Sequence, residues 1–504
     1  MGELKSLKTA DKGGARVYSI DILRGLAILF MVLSSLEPFG NLPAWMYHAQ
    51  TPPPNHGYDP SIPGLTWVDL VFPFFIFSMG AAIPFSLRRR FEKGMTTAQG
   101  IWAMVKRGFM LLGFAIYARH INPSTLSASP DKGTYLLAIF MFFLMFAIWG
   151  RFPWKISESV KRIIKFAGIF IAAFVFYITP FSDGSGFSLF RTNIILFVLA
   201  NLAAVGGIIW IITRDNLIMR VGVLGIMTAI QYSYAQDGNW IHTFGNEYQI
   251  PFLAAFFQNN VDAENLKYFS WIYNLSWIFQ WRFMKYLYII IPASIVGDMV
   301  YDSLKSSSDA TKIKPALNNY LAGVLMVVIL VVTLCGLQGR YVVLTTVSVA
   351  ILILLGLYLF RKATGSREIL LSKLFGWGAF WIMLGLLFEP SQGGIKKDPS
   401  NMSYYFTTAG LAIFSVIAIE IFFETARRKR IFNLFIYSGQ NPMIAYLTTS
   451  NVLLPVLTIT SLRSVVFSMH GSHPWVGFVI GVSLVVVVGL WVSLFSRRKI
   501  FLRT

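Results

Sequence analysis

Charge is scarce in this chain. Asp, Glu, Lys and Arg make up 13% of its 504 residues, against about 25% in a soluble globular domain. That shortage argues against an ordinary soluble enzyme. It also argues against disorder, which needs high charge and few large apolar groups. Acidic residues are fewest: 23 Asp and Glu stand against 43 Lys and Arg, for a net charge of +20. Cysteine is nearly missing. Cys335 alone lies in an apolar run, so no disulfide framework forms within the chain; the residue reads as a small lipid- or core-facing side chain. Metal-ligand spacing, a Walker loop and a dinucleotide glycine motif are all missing. No fixed-period repeat is evident, which weakens a transporter built from repeats.

What remains is hydrophobic. Apolar residues reach 55%, and the mean hydropathy is +0.61. A membrane helix needs about 20 mostly apolar residues. Such stretches fall near 18–37, 65–87, 101–119, 134–150, 162–181, 192–213, 217–235, 282–302, 317–337, 341–360, 374–390, 403–424, 434–460 and 475–496. The expected fold is an all-α polytopic membrane bundle of about 14 spans (range 11–14), since some pieces could be re-entrant or interfacial. The aromatic-rich segment 249–281 reads as lying on the membrane surface.

Loop charge orients these spans. Arg88-Arg89-Arg90, Arg151 to Lys165, Lys305 to Lys314, Arg361-Lys362, Arg427 to Arg430 and Arg497-Arg498-Lys499 all fall on one side. By the positive-inside rule that side is cytoplasmic, and both termini face it. The bias accounts for the excess of basic residues without nucleic acid. The opening Lys5, Lys8, Lys12 and Arg16 resemble a secretory leader, but Asp21 and Arg24 interrupt the following apolar run, so it reads as a retained first span. The chain divides into a cytoplasmic tail 1–17, one transmembrane domain 18–496 with outer loops 38–64 and 236–281, and a cytoplasmic tail 497–504. All six histidines fall on the outer side.

Charged groups within spans are costly and mark partners or cavities. In the first span Asp21 and Arg24 are i, i+3 and share a face; they read either as an ion pair orienting the helix or as an anchor for an anionic ligand. Gly25 permits close approach of a neighbouring helix. His48 follows the span in an aromatic loop, Trp45-Met46-Tyr47-His48, suited to proton transfer near neutral pH, or merely structural there. His56 is a rival in a Pro-rich loop expected to be exposed. Asp69 lies one turn into the second span. It reads as a helix N-terminal acid favoured by the dipole, or as the carboxylate that holds an imidazole. Trp67 beside it is a candidate for ligand contact. Lys396 and Lys397 stand on the side that should be poor in lysine, where they meet an anionic group or solvate the loop. Asn441, in the break Ser438-Gly439-Gln440-Asn441-Pro442, lines protein or a cavity.

These motifs together resemble the heparan-α-glucosaminide N-acetyltransferase-like family, in its bacterial branch. The resemblance rests on Ser19-Ile20-Asp21-Ile22-Leu23-Arg24-Gly25, Tyr47-His48-Ala49, Gly64 to Phe77, Lys396-Lys397 with Ser403-Tyr404, and Gly439-Gln440-Asn441-Pro442. The Asp-x-x-Arg-Gly opening is similar to that of transmembrane acyltransferases at large. The resemblance implies transfer of an acetyl group from cytosolic acetyl-CoA to an amino sugar or glycan beyond the membrane, with no metal. It puts the catalytic histidine at His48 and its acid at Asp69. Asp21, Arg24, Ser35, Trp67, Lys396, Lys397 and Asn441 are then the binding candidates. Ser35 stands where the family usually has asparagine, and the loop from Ala49 to Gly64 is longer than the family pattern. Arg24 to Ser35 spans about 16 Å of helix, room for a thin acyl carrier with its phosphates near Arg24 and its thioester near His48. Arg88, Arg89, Arg90, Lys106 and Arg107 are further candidates for the nucleotide phosphates. The implied setting is a bacterial inner membrane with the active face toward the periplasm. The implied partners are acyl-CoA, the acceptor and the bilayer, with a homodimer compatible. The competing readings are a transporter of a sugar or lipid-linked glycan, and a catalytically silent relative.

Overall fold

A computed structural model describes residues 17–36, 40–154, 156–246, 248–306, 317–425, 432–468 and 473–503. The basic tail 1–16, His470, Arg427 to Arg430 and most of the Lys305–Lys314 loop lie outside these residues.

The chain is an all-α polytopic membrane protein. Its longer helices are, in order, α1 Tyr18–Ser34, α2 Trp67–Ala81, α3 Ile83–Glu92, α4 Thr97–His120, α5 Lys132–Trp149, α6 Glu158–Ile178, α7 Ile194–Thr213, α8 Leu217–Tyr234, α9 Leu287–Ser306, α10 Leu317–Gln338, α11 Val342–Phe360, α12 Ser366–Phe388, α13 Met402–Thr425, α14 Asn433–Gln440, α15 Pro442–Thr448 and α16 Pro474–Arg497. Twelve stretches among the described residues are long and apolar enough to cross a membrane, within the expected range. The other two of the fourteen expected spans, 18–37 and 162–181, are the 17-residue α1 and α6, whose first turns carry Glu158, Lys161, Arg162 and Lys165. Cys335 is exposed on its helix, as a lipid-facing residue would be.

Two compact units emerge. The first contains α1–α3, α9–α14 and most of α16. Its centre is the buried face of α13, which packs on α12, α10, α1 and α2. Small residues allow the closest crossing, between α1 and α14. A Cβ on Gly25 would strike the Phe435 carbonyl, and one on Gly439 the Asp21 carbonyl. At the far end of α2 and α3, Arg88 lies 3.0 Å from Asp298 and pairs with Asp302, while Lys305 holds Glu92 at 3.0 Å. Arg88 is therefore paired with two carboxylates on α9.

The second unit is built on α4 against α7, with α5, α6 and α8. Two large buried polar side chains here have local partners. Arg220 bonds Thr213, and the His120 Nδ1 lies 2.8 Å from the Ile116 carbonyl inside a ring of Phe176, Phe181 and Phe187. Helices Trp240–Asn246, Pro251–Asn260 and Ala263–Tyr273 are each too short to cross a bilayer. The expected span 434–460 is broken at Asn441–Pro442, where the sequence places the break, since Pro442 cannot donate into the preceding turn, and a π turn follows at Thr449–Leu453.

Candidate active site

The first turn of α2 organises the site. Asp69 is the third residue of that helix and has no exposed surface. Its Oδ2 accepts from the Thr66 N–H at 3.0 Å, half of a capping box, and from the Ala49 N–H at 3.2 Å. The Thr66 hydroxyl donates to the Tyr47 carbonyl at 2.7 Å. The start of the helix thus holds both neighbours of His48. Four residues beyond Asp69 comes Pro73, which has no N–H to give the Asp69 carbonyl. The buried Tyr404 hydroxyl on α13 donates to it instead, at 2.9 Å.

The other oxygen, Asp69 Oδ1, faces the reactive groups. It lies 3.2 Å from His48 Nε2 and 3.7 Å from Lys397 Nζ. His48 Nδ1 accepts the Gln50 N–H at 3.1 Å, so a neutral His48 carries its proton on Nε2, the nitrogen nearer the acid, though Asp69 Oδ1 has no aligned hydrogen-bond donor. Asp398, largely exposed, stands 3.9 Å from the same Nε2. Burial pushes the His48 pKa below its ordinary value; Asp69 raises it, Lys397 lowers it and Asp398 raises it, in that order after burial. The ring is therefore neutral at pH 7 and able to take a proton.

A second loop delivers Lys397 and Asp398. The Gln50 side chain clasps the Asp398 backbone both ways, donating to its carbonyl at 2.5 Å and accepting its N–H at 2.9 Å. Tyr58 adds a bond to that carbonyl at 2.8 Å. The Gly64 N–H donates to the Ile395 carbonyl at 2.9 Å. Gly394, at φ +97°, is where the loop presses on Pro63 so closely that a Cβ would collide. Buried Glu389 anchors the loop's root to Arg340 at 2.6 Å.

The structure thus brings His48, Asp69 and Lys397 together. It does not bring every candidate there. The Lys396 charge acts on Asp59. Ser35 is exposed, and its hydroxyl donates back to the Val32 carbonyl at 2.7 Å. Trp67 packs edge-on against Phe30, with ring centres 5.7 Å apart. His56, expected to be exposed, is half-buried against the Tyr47 ring at 4.5 Å, because its loop folds back across that tyrosine. Asp21 and Arg24 pair at 3.5 Å, and Arg24 also donates to the Ser78 hydroxyl, the Ser78 carbonyl and the Gly439 carbonyl. Asn441, two residues past Gly439 in sequence, is buried at the break between α14 and α15. Sequence reasoning missed Gln50 and the donor role of Tyr404. The spacing of Asp69 and Pro73 signalled that an outside donor was needed; nothing local signalled Gln50. Among the described residues no group of three or more His, Cys, Asp or Glu is placed to hold a metal ion.

Residues 16–249, which include His48 and Asp69, match a family described as "Domain of unknown function (DUF5009)". The chain is also similar to heparan-alpha-glucosaminide N-acetyltransferase from Homo sapiens, 31% identical over 22% of this chain and 14% of that protein. The Mus musculus protein of the same name is 29% identical over 23% of this chain and 16% of its own length. The aligned stretch is a small part of either relative, and the relationship it supports is distant and at family level.

Proposed function

We propose that the protein is a membrane-embedded acyltransferase that moves an acetyl group from cytosolic acetyl-CoA to an amino sugar or glycan on the outer side, in a bacterial inner membrane with the site facing the periplasm. The observation that carries this reading is the neutral His48 ring held against the wholly buried Asp69 carboxylate. The distant likeness to a named N-acetyltransferase supports the same class of chemistry.

The acceptor nitrogen or oxygen attacks the thioester carbonyl. A bond forms from acceptor to carbonyl carbon, the carbon–sulfur bond breaks, and CoA leaves as thiolate to be protonated. The acceptor proton goes to His48. With the proton on Nε2, the receiving lone pair is that of Nδ1, so the acceptor displaces the Gln50 N–H there. Asp69 keeps the tautomer and stabilises the imidazolium that forms. Lys397, 3.7 Å from the same acid, balances the Asp69 charge beside the ring.

The test is radiolabelled acetyl transfer by the purified protein in lipid nanodiscs. His48→Ala and Asp69→Asn should each cut turnover by about 10²-fold or more while CoA still raises the melting temperature. Full turnover by His48→Ala would remove the reading.

A further inference from the structure

On the membrane side of the first unit lies an apolar groove of about 320 Å³. Four helices build it from stripes at helical spacing: Leu23 to Phe30 on α1, Trp67 to Phe74 on α2, Leu330 and its neighbours on α10, and Ile419 with its neighbours on α13. The α13 helix packs on the other three and forms the floor. Apart from the Trp67 indole at its outer end, the lining is apolar except for one hydroxyl, Ser415, already donated to the Leu411 carbonyl at 2.8 Å. A pantetheine arm carries two amides, and in this groove they would have no partners, at a cost of about 1–3 kcal/mol each. A hydrocarbon chain has no such need. Its outer end is the Phe30–Trp67 pair, in the helical turn that bears Asp69. Phe30 at 42% and Val327 at 44% exposed leave the rim open sideways, where the bilayer lies.

We infer that this groove seats the hydrocarbon chain of a lipid-anchored acceptor, so that the group acetylated beside His48 is carried on a membrane lipid. The inference rests on the acyltransferase reading above. Trp67 and Asp69 are two positions apart and point to nearly opposite sides of α2. The head group therefore passes half-exposed Trp67 at the start of the helix, with the tail on one side and the reacting atom on the other. Continuity with the bilayer favours a lipid chain over a second copy of the protein, and the shared turn with Asp69 selects the acceptor's chain over a bulk phospholipid's.

Two measurements test this in nanodiscs. The first compares labelled acetyl transfer to glucosamine on a long alkyl phosphate with transfer to soluble methyl glucosaminide. The unaltered chain should show a KM lower by about tenfold or more for the alkyl-linked amine. Ala27→Phe, or Leu330→Trp should the first fail to fold, should remove that advantage and leave the soluble acceptor unchanged. Equal KM values, or an equal effect on both acceptors, would overturn the inference. The second needs no turnover: the alkyl-linked amine with a diazirine at its chain end should label the 23–30 peptide more strongly than a phospholipid with the same diazirine. Equal labelling by the two probes, or no labelling, would overturn the site. No transfer to either acceptor, with labelling intact, would overturn the acyltransferase reading and retain the lipid-chain site.

Discussion

At the scale of the residue, Asp69 performs two tasks with two oxygens. One belongs to the helix cap and the other to the imidazole and the lysine. Lys397 has a predictable influence on His48. Its positive charge disfavours the imidazolium, so it lowers the His48 pKa, in the same direction as burial. If His48 is the base of the proposed transfer, activity should fall on the acid side, where a protonated ring cannot accept a proton. Lys397→Met should therefore move the acid limb of kcat/KM to higher pH, and Lys397→Arg should leave it in place. A pH–rate profile for the three proteins decides; an unmoved limb in Lys397→Met would separate the lysine from the histidine. The Asp69–Pro73 spacing shows how much one residue can reveal. It announces a carbonyl with no donor in its own helix, although only the fold identifies Tyr404 as the donor, 335 residues away.

Among elements, the tightest tolerance is where α14 crosses α1. Ala at Gly439 meets the Asp21 carbonyl, and neither backbone has a flexible side chain to yield. Gly439→Ala should cost about 1–3 kcal/mol and lower the melting temperature in detergent. Gly376→Ala, in the interior of α12 with no neighbour near its Cβ, should be neutral or slightly stabilising. Equal melting temperatures for the two variants would contradict the crossing. Helices of this kind were readable from hydropathy because burial in lipid imposes a length and a composition. Pro442 marked the break between α14 and α15 as well. The clasp of Gln50 on Asp398 was not readable, since two loops 348 positions apart leave no periodic trace. Arg24 was ambiguous for a related reason: charge in a span signals a partner, but only packing distinguishes the Ser78 and Gly439 oxygens from a bound phosphate.

For the whole molecule, loop charge predicts sidedness. In a background with Cys335→Ser, Ser391→Cys beside the lysine loop should react with a membrane-impermeant maleimide on intact cells. Lys93→Cys, after α3, should react only once the membrane is opened. The opposite pattern would invert the topology and place His48 in the cytoplasm. The long outer loop also has a defined construction. It leaves the site at Gln50, tied to Asp398, and returns at Gly64, tied to Ile395, and the Asp59 N–H closes on the Gln50 carbonyl at 2.9 Å. What lies between those moorings is a cassette. A change of length between them would leave both ties in place, and with them the spacing of His48 and Asp69.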